Sequence, residues 1–235
     1  HFTELAERLA VQFWPGALTM VLPLREDAGL APAVRAGLPT VALRMPAHAA
    51  MQALIHESGA PLAAPSANAS GGISPTSAAH VLRSLGGRIP LVIDGGTTAQ
   101  GLESTIIAPE TDRIRLLRPG PVTAEMLDRA SGLPVTGSDG RIIEAPGQLA
   151  SHYAPGKPLR LNATSARIDE YLIGFGAMAC DTNLSETGNL EQAASRLFAA
   201  LHMADMSTQA RIAVAPVPQE GIGIAINDRL IRAAA

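Results

Sequence analysis

A chain of 235 residues with a net charge of −3 and a pI near 6.1 carries no overall electrostatic footprint for nucleic acid, so any polyanion must be held at a local site. Charged residues make up only 17% and aromatics 3%, which leaves Ala, Val, Ile and Leu to build the core. The single cysteine, Cys180, excludes an internal disulfide framework and fits a reducing, cytoplasmic setting, and no apolar run approaches the roughly 20 residues that cross a bilayer.

The opening His-Phe-Thr-Glu-Leu has neither the basic start nor the apolar stretch of a signal peptide, and His1 is not a translation start. The chain is therefore expected to begin inside a longer one. Leu5, Leu9 and Val11 recur at helical spacing over residues 4–12. Pro15-Gly16 punctuates, and Leu18–Leu24 reads as a strand, followed by a second over Thr40–Met45 that Pro46 stops. Inside that second strand Arg44 stands among apolar residues, where a buried charge needs an Asp, a Glu or a ligand carboxylate as partner. A helix over His48–Ser58 ends at Gly59.

Pro61–Pro65 is a short apolar strand that opens into the small, polar run Ser66–Gly72, and Ser74-Pro75 then has the form of a helix start. Small side chains let backbone donors approach a ligand, and a helix N-terminus adds free N–H groups. The segment reads either as an anion or nucleotide loop or as a tight strand-to-helix connection with a capping serine. That helix runs to Leu85. Strands follow at Leu91–Ile93, Thr105–Ala108 and Ile114–Leu117, the last delivering Arg118 to a strand end, and Thr123 caps a helix to about Ala130.

From Ser131 to Pro158 Gly, Pro and Ser dominate without a period, as in an interdomain linker. Beyond it, strands over Leu159–Leu161, Ala177–Cys180 and Ile212–Val217 alternate with helices over Leu190–Met203 and Gly223–Ala234, which predicts a parallel Rossmann-like sheet. The histidines and Cys180 lack zinc-ligand spacing, so no metal site is expected. There is no GxSxG elbow to make Ser66 or Ser104 a hydrolase nucleophile, and Gly221-Ile-Gly223 lacks the third glycine of a dinucleotide fingerprint.

An ordered set of segments gives more. Phe13-Trp-Pro-Gly-Ala-Leu-Thr19, Val41-Ala-Leu-Arg-Met-Pro-Ala-His48, Ala64-Pro-Ser-Ala-Asn-Ala-Ser-Gly71, Asp94-Gly-Gly96, Glu103-Ser-Thr-Ile106 and Leu117-Arg-Pro-Gly120 come first. Ala145-Pro-Gly147, Ser151-His-Tyr-Ala-Pro155, Asn183-Leu-Ser185 and Gly221-Ile-Gly-Ile-Ala-Ile-Asn-Asp-Arg229 follow. Together they resemble the YrdC/YciO-type superfamily, specifically its long two-domain threonylcarbamoyl-AMP synthases.

The resemblance implies a twisted α/β YrdC-like catalytic domain over 1–130, incomplete at its N-terminus. It implies a linker over 131–158 and a smaller Rossmann-like parallel α/β domain over 159–235. The reaction it implies joins L-threonine, bicarbonate or CO2 and ATP, with Mg2+ on the phosphates, into threonylcarbamoyl-AMP and pyrophosphate. The product would pass to a transferase complex that modifies tRNA, without strong direct binding of nucleic acid by this chain. The alternative is a non-catalytic nucleotide- or RNA-binding module of the same fold.

By the same resemblance Ser66 and Asn68 belong to the shared catalytic site. Thr40, Ser66, Ser74, Arg118 and Tyr153 fall on the nucleotide, and Arg44, the backbone of Ala64 and Ser104 on threonine. His152 and Tyr153 would form a lid from the linker. Ser104→Ala should then weaken threonine use more than ATP use, and Arg118→Ala the reverse. The family's phosphate-gripping Lys-x-Arg motif falls ahead of His1, which implies weak ATP binding by these 235 residues alone.

Overall fold

The computed structural model describes residues 1–137 and 152–235. In chain order the first half holds α1 (Glu4–Phe13), β1 (Leu18–Pro23), a short 3-10 turn (Pro32–Arg35), β2 (Thr40–Leu43), α2 (Ala49–Ser58) and α3 (Ala78–Leu85). Then come β3 (Thr105–Pro109), β4 (Ile114–Arg118), α4 (Ala124–Ser131) and β5 (Val135–Gly137). The second half holds β6 (Leu159–Arg160), β7 (Glu170–Gly174), β8 (Thr182–Asn183), α5 (Leu190–Met206), β9 (Arg211–Val214) and α6 (Gly223–Ala233). Two compact units result, His1–Ala64 with Glu103–Gln148 and Pro65–Leu102 with Leu149–Ala235. These units interleave along the chain.

The first unit is built on a mixed five-stranded sheet in the order β2-β1-β3-β4-β5. β1 is antiparallel to β2 and parallel to β3, and β3 is antiparallel to β4. Leu18, Met20 and Leu22 alternate onto the face that buries Ala6 and Leu9 of α1 and Leu127 of α4. Val21, Ile106, Ala108 and Leu117 form a smaller cluster. α1 begins where the Thr3 hydroxyl accepts from the Ala6 N–H at 3.2 Å, and Glu4 and Glu7 suit the positive end of the helix. β5 lies inside the segment read as linker, and Ala145-Pro-Gly147 and Ser151 fall outside the described residues.

The second unit contains a four-stranded, fully parallel sheet in the order β6-β9-β7-β8, as expected of a Rossmann-like fold. Its core joins Ile173, Ile212 and Val214 of the sheet to Leu197, Phe198 and Leu201 of α5 and Ile226 and Leu230 of α6. Ile73 and Tyr153 belong to the same core.

Four expected elements differ. Pro61–Pro65 and Leu91–Ile93 are not strands, and among the described residues no strand pairs with either; an apolar run becomes a strand only when a ladder satisfies its backbone. Ala177–Cys180 follows a turn at Gly176 (φ 77°), and its apolar side chains Met178 and Cys180 pack against Ala163, Leu172 and Ala213 instead of marking a strand. An inner strand of the parallel sheet is β7, which brings Glu170 into the interior, 4% exposed and paired with Arg160 at 2.6 Å. Finally, α3 is capped by Ser77, not Ser74. Ile73, Ser74 and Thr76 are buried ahead of the helix, and the His80 Nδ1 accepts from the Thr76 N–H at 3.2 Å, holding that stretch out of it.

Candidate active site

In the first unit three side chains form one hydrogen-bonded array. The Ser104 and Thr19 hydroxyls lie 2.7 Å apart. Arg118 donates to the Ser104 carbonyl from Nε at 3.1 Å and from Nη2 at 2.9 Å, and Nη2 also reaches the Ser104 Oγ at 3.3 Å. All three residues are buried. Because Arg118 can only donate, the Ser104 oxygen accepts from it, and the serine proton is left for Thr19 or for a ligand. The array therefore presents hydroxyl chemistry on a cationic support.

Sheet register explains why these residues meet. β1 and β3 run in parallel with Leu18 opposite Thr105, so their first residues share one end of the sheet. β4 runs the other way and brings Arg118 opposite Ile106 at that end. β2, antiparallel with Met20 opposite Leu43, leaves Arg44 just past its last residue, again at that end. Thr40 is opposite Pro23, at the other end of β2, about 13 Å from Arg44 by strand rise.

Arg44 is exposed and so, contrary to expectation, needs no buried counter-ion. Desolvation still lowers its pKa from the ordinary arginine value. Ala64 is also exposed.

The turn that carries Arg118 is fixed from below. The Thr105 Oγ1 donates to the Val122 carbonyl at 2.7 Å and accepts from the Val122 N–H at 2.9 Å. Between them Gly120 lies so close that an added Cβ would stand 2.5 Å from the Thr105 nitrogen and 2.8 Å from the Glu103 oxygen. Only glycine fits there. Thr19 closes the motif Phe13–Thr19 and Gly120 the motif Leu117–Gly120, where neither residue type by itself points to a role. The signal for Thr19 was a lone hydroxyl in the apolar run Leu18–Pro23.

In the second unit Ser66 is exposed, while Asn68 braces its own loop by donating to the Ala69 and Gly72 carbonyls, each at 3.0 Å. The Asn68 Oδ1 is buried and has no donor among the described residues. Ser74 is 6% exposed, and its carbonyl meets the His202 Nε2 at 3.2 Å. The His202 ring stacks on that of His80 with centroids 3.8 Å apart. Burial pushes the His80 pKa down to about 4, with the nearby His202 and Arg83 acting in the same direction. Burial also lowers that of His202, with Arg83 adding to the effect and the Ser74 carbonyl and Asp205 opposing it. Tyr153, expected as a lid, is 1% exposed and tilted against Phe198 at 5.6 Å; His152 stands edge-on to it at 4.1 Å.

Among the described residues no three His, Cys, Asp or Glu side chains converge to hold a metal ion. No helix among them is long and apolar enough to cross a membrane.

Comparison with known proteins assigns the chain. A Sua5/YciO/YrdC family profile described as "Telomere recombination" matches residues 1–120, and one described as the threonylcarbamoyl-AMP synthase C-terminal domain matches residues 122–235. The threonylcarbamoyl-AMP synthase of Bacillus subtilis (strain 168) is 40% identical, over 98% of this chain and 73% of the relative. The chain belongs to the threonylcarbamoyl-AMP synthase family. A second member of the family, from Pyrococcus abyssi, is 37% identical over 98% of this chain and 74% of its own length.

The crystal structure of P. abyssi Sua5 complexed with L-threonine superposes with a TM-score of 0.88 at 36% identity, covering all of this chain and 75% of that one. A variant of the P. abyssi protein with an adjacent histidine and tyrosine replaced by alanine gives 0.86 at 34% identity, covering all of this chain and 74% of that one. Membership in the threonylcarbamoyl-AMP synthase family makes the chain an enzyme, a transferase of tRNA modification, and disfavours a non-catalytic binding module.

Proposed function

We propose that this chain makes threonylcarbamoyl-AMP from L-threonine, bicarbonate or CO2 and ATP, and that the Thr19–Ser104–Arg118 array with Arg44 is its threonine-recognition end. The observation that carries the reading is the shared position of these residues at one end of the first sheet. A guanidinium there can grip a carboxylate through two parallel hydrogen bonds, and Arg44 is exposed at that end of the sheet. The Ser104 oxygen accepts from Arg118, so its proton can go to Thr19 or to the amino acid's hydroxyl or carboxylate oxygen. The backbone of Ala64, an exposed residue, is assigned to threonine as well.

The reaction needs positioning more than acid–base work. A carbamate formed on the threonine nitrogen attacks the α-phosphorus of ATP, the bond from that phosphorus to the bridging oxygen breaks, and pyrophosphate departs. Holding both reactants in line replaces a bimolecular encounter with a nearly intramolecular one. Thr40, Arg118, Ser66, Ser74 and Tyr153 are assigned to the nucleotide, Ser66 and Asn68 to the reacting centre, and His152 and Tyr153 to closure. Mg2+ would arrive with the triphosphate and shield its charge. A tRNA-modifying transferase would consume the product, whose mixed anhydride is too labile to be stored.

Pyrophosphate release tests this directly. It should require threonine, bicarbonate and ATP together, and Arg44→Lys should raise the KM for threonine by about tenfold through loss of the planar fork. Release without threonine, or an unchanged threonine KM in the variant, would reject the assignment.

A further inference from the structure

α6 carries a residue that packing alone does not account for. Arg229 is 0% exposed and heads the fully buried side chains by volume, in a helix whose other buried residues include Ala225, Ile226, Leu230 and Ala233. Burying a guanidinium costs several kcal/mol unless it is well paired, and a leucine or methionine would fill the space without that cost. Arg229 is paired: its Nη1 donates to the Asp228 Oδ2 at 2.7 Å, and Asp228 is shared with the Arg232 Nε at 3.0 Å. Its Cζ lies over the Tyr153 ring, 5.3 Å from the centroid.

Tyr153 has a left-handed backbone, φ 64°, which costs a bulky residue free energy unless its surroundings enforce it. The surroundings do so from three sides. The Arg232 carbonyl, within the next turn of α6, accepts from the His152 N–H at 3.1 Å. The Ala154 N–H donates to the Gly71 carbonyl at 2.9 Å. Arg229 and Phe198 close on the ring.

We propose that Arg229 is a positioning residue of this enzyme, setting the Tyr153 ring and, through it, His152 in the orientation the reaction uses. The inference rests on the reading that Tyr153 and His152 act on the nucleotide. Arg229 touches no substrate in this account and works only through Tyr153.

The test compares Arg229→Met, Arg229→Lys and Tyr153→Leu in the full enzyme, with steady-state kinetics and hydrogen exchange at the His152 and Ala154 amides. Arg229→Met should raise the KM for ATP about three- to thirtyfold, with the threonine KM within about twofold. It should also speed exchange at His152 and Ala154 by about tenfold or more while Leu197–Leu201 of α5 stay protected. Arg229→Lys, which keeps the charge for Asp228 but not the planar face, should show the same pattern more weakly. Should the methionine variant not fold, the lysine variant decides by the same two readouts. Wild-type ATP KM and wild-type exchange at 152–154 in a folded Arg229 variant would overturn the inference. If Tyr153→Leu leaves the ATP KM unchanged, the nucleotide reading of Tyr153 fails and the catalytic part of the inference with it. If Tyr153→Leu raises that KM and the Arg229 variants do not, the inference alone fails.

Discussion

The guanidinium of Arg118 is spread across the carbonyl of Ser104, with Nε at 3.1 Å and Nη2 at 2.9 Å. Two residues that family resemblance sends to different substrates are thus one hydrogen-bonded unit. Removing Arg118 also strips donors from a buried carbonyl, a loss of the kind that costs about 1–3 kcal/mol.

The two substitutions should therefore not separate cleanly. Ser104→Ala should raise the threonine KM, and Arg118→Ala should raise both the threonine and the ATP KM. The double variant should fall short of the summed effects by roughly 0.5–3 kcal/mol in kcat/KM. Additive losses would show that the Arg118 Nη2 contact with the Ser104 Oγ has no functional weight, and an Arg118→Ala enzyme with normal threonine KM would show the same of its hold on the Ser104 carbonyl.

Gly120→Ala should be more harmful than its size suggests. The new methyl would meet the backbone of Glu103, Ser104 and Thr105, and backbone has little room to give. A loss of about 1–3 kcal/mol of stability is expected, accompanied by a raised threonine KM as Ser104 is displaced. A Tm and a threonine KM both at wild-type values would refute the crowding.

The His80–His202 stack predicts a sensitivity to mild acid. The Thr76 N–H donates to the His80 Nδ1, which must therefore carry no proton, and the neighbouring His202 and Arg83 disfavour a charge there while Asp205 faces His202. The folded-state pKa of His80, about 4, lies below its ordinary value of 6.5. In that window the unfolded chain binds a proton that the folded chain refuses. Stability from this source is complete above about pH 6.5, falls as the pH drops through the window, and levels off below about pH 4. Thermal melts across this range should show a shallower decline for His80→Gln than for the parent. Parallel curves would remove His80 as the cause.

Much of the site was legible in the motifs because chemistry is written in residue type. Ser104 beside Thr105, Arg118 at a strand end and Tyr153 after His152 all stand out as polar groups at the borders of apolar runs. What could not be read was which of two similar residues takes a given task. Ser74 and Ser77 both have the composition of a cap, and the choice fell to Ser77 because Thr76 is held by His80, four residues further on. Arg44 looked buried because it follows Val41-Ala-Leu43, yet β2 ends at Leu43 and releases it. Cys180 and Met178 looked like strand residues because packing against a sheet selects the same side chains as belonging to one.

The order of the motifs along the chain was by itself enough to specify the family, the alternating α/β plan and most helix positions, since periodicity and capping act within a few residues of chain. Tertiary structure decided the rest. Strand register placed Thr19, Arg44, Ser104 and Arg118 at one end of a sheet and Thr40 at the other, and α6 brought Arg229 onto Tyr153 across 76 positions of sequence. Such pairings depend on which ladders form and which cores close, and those are properties of contacts between distant segments that no local pattern records.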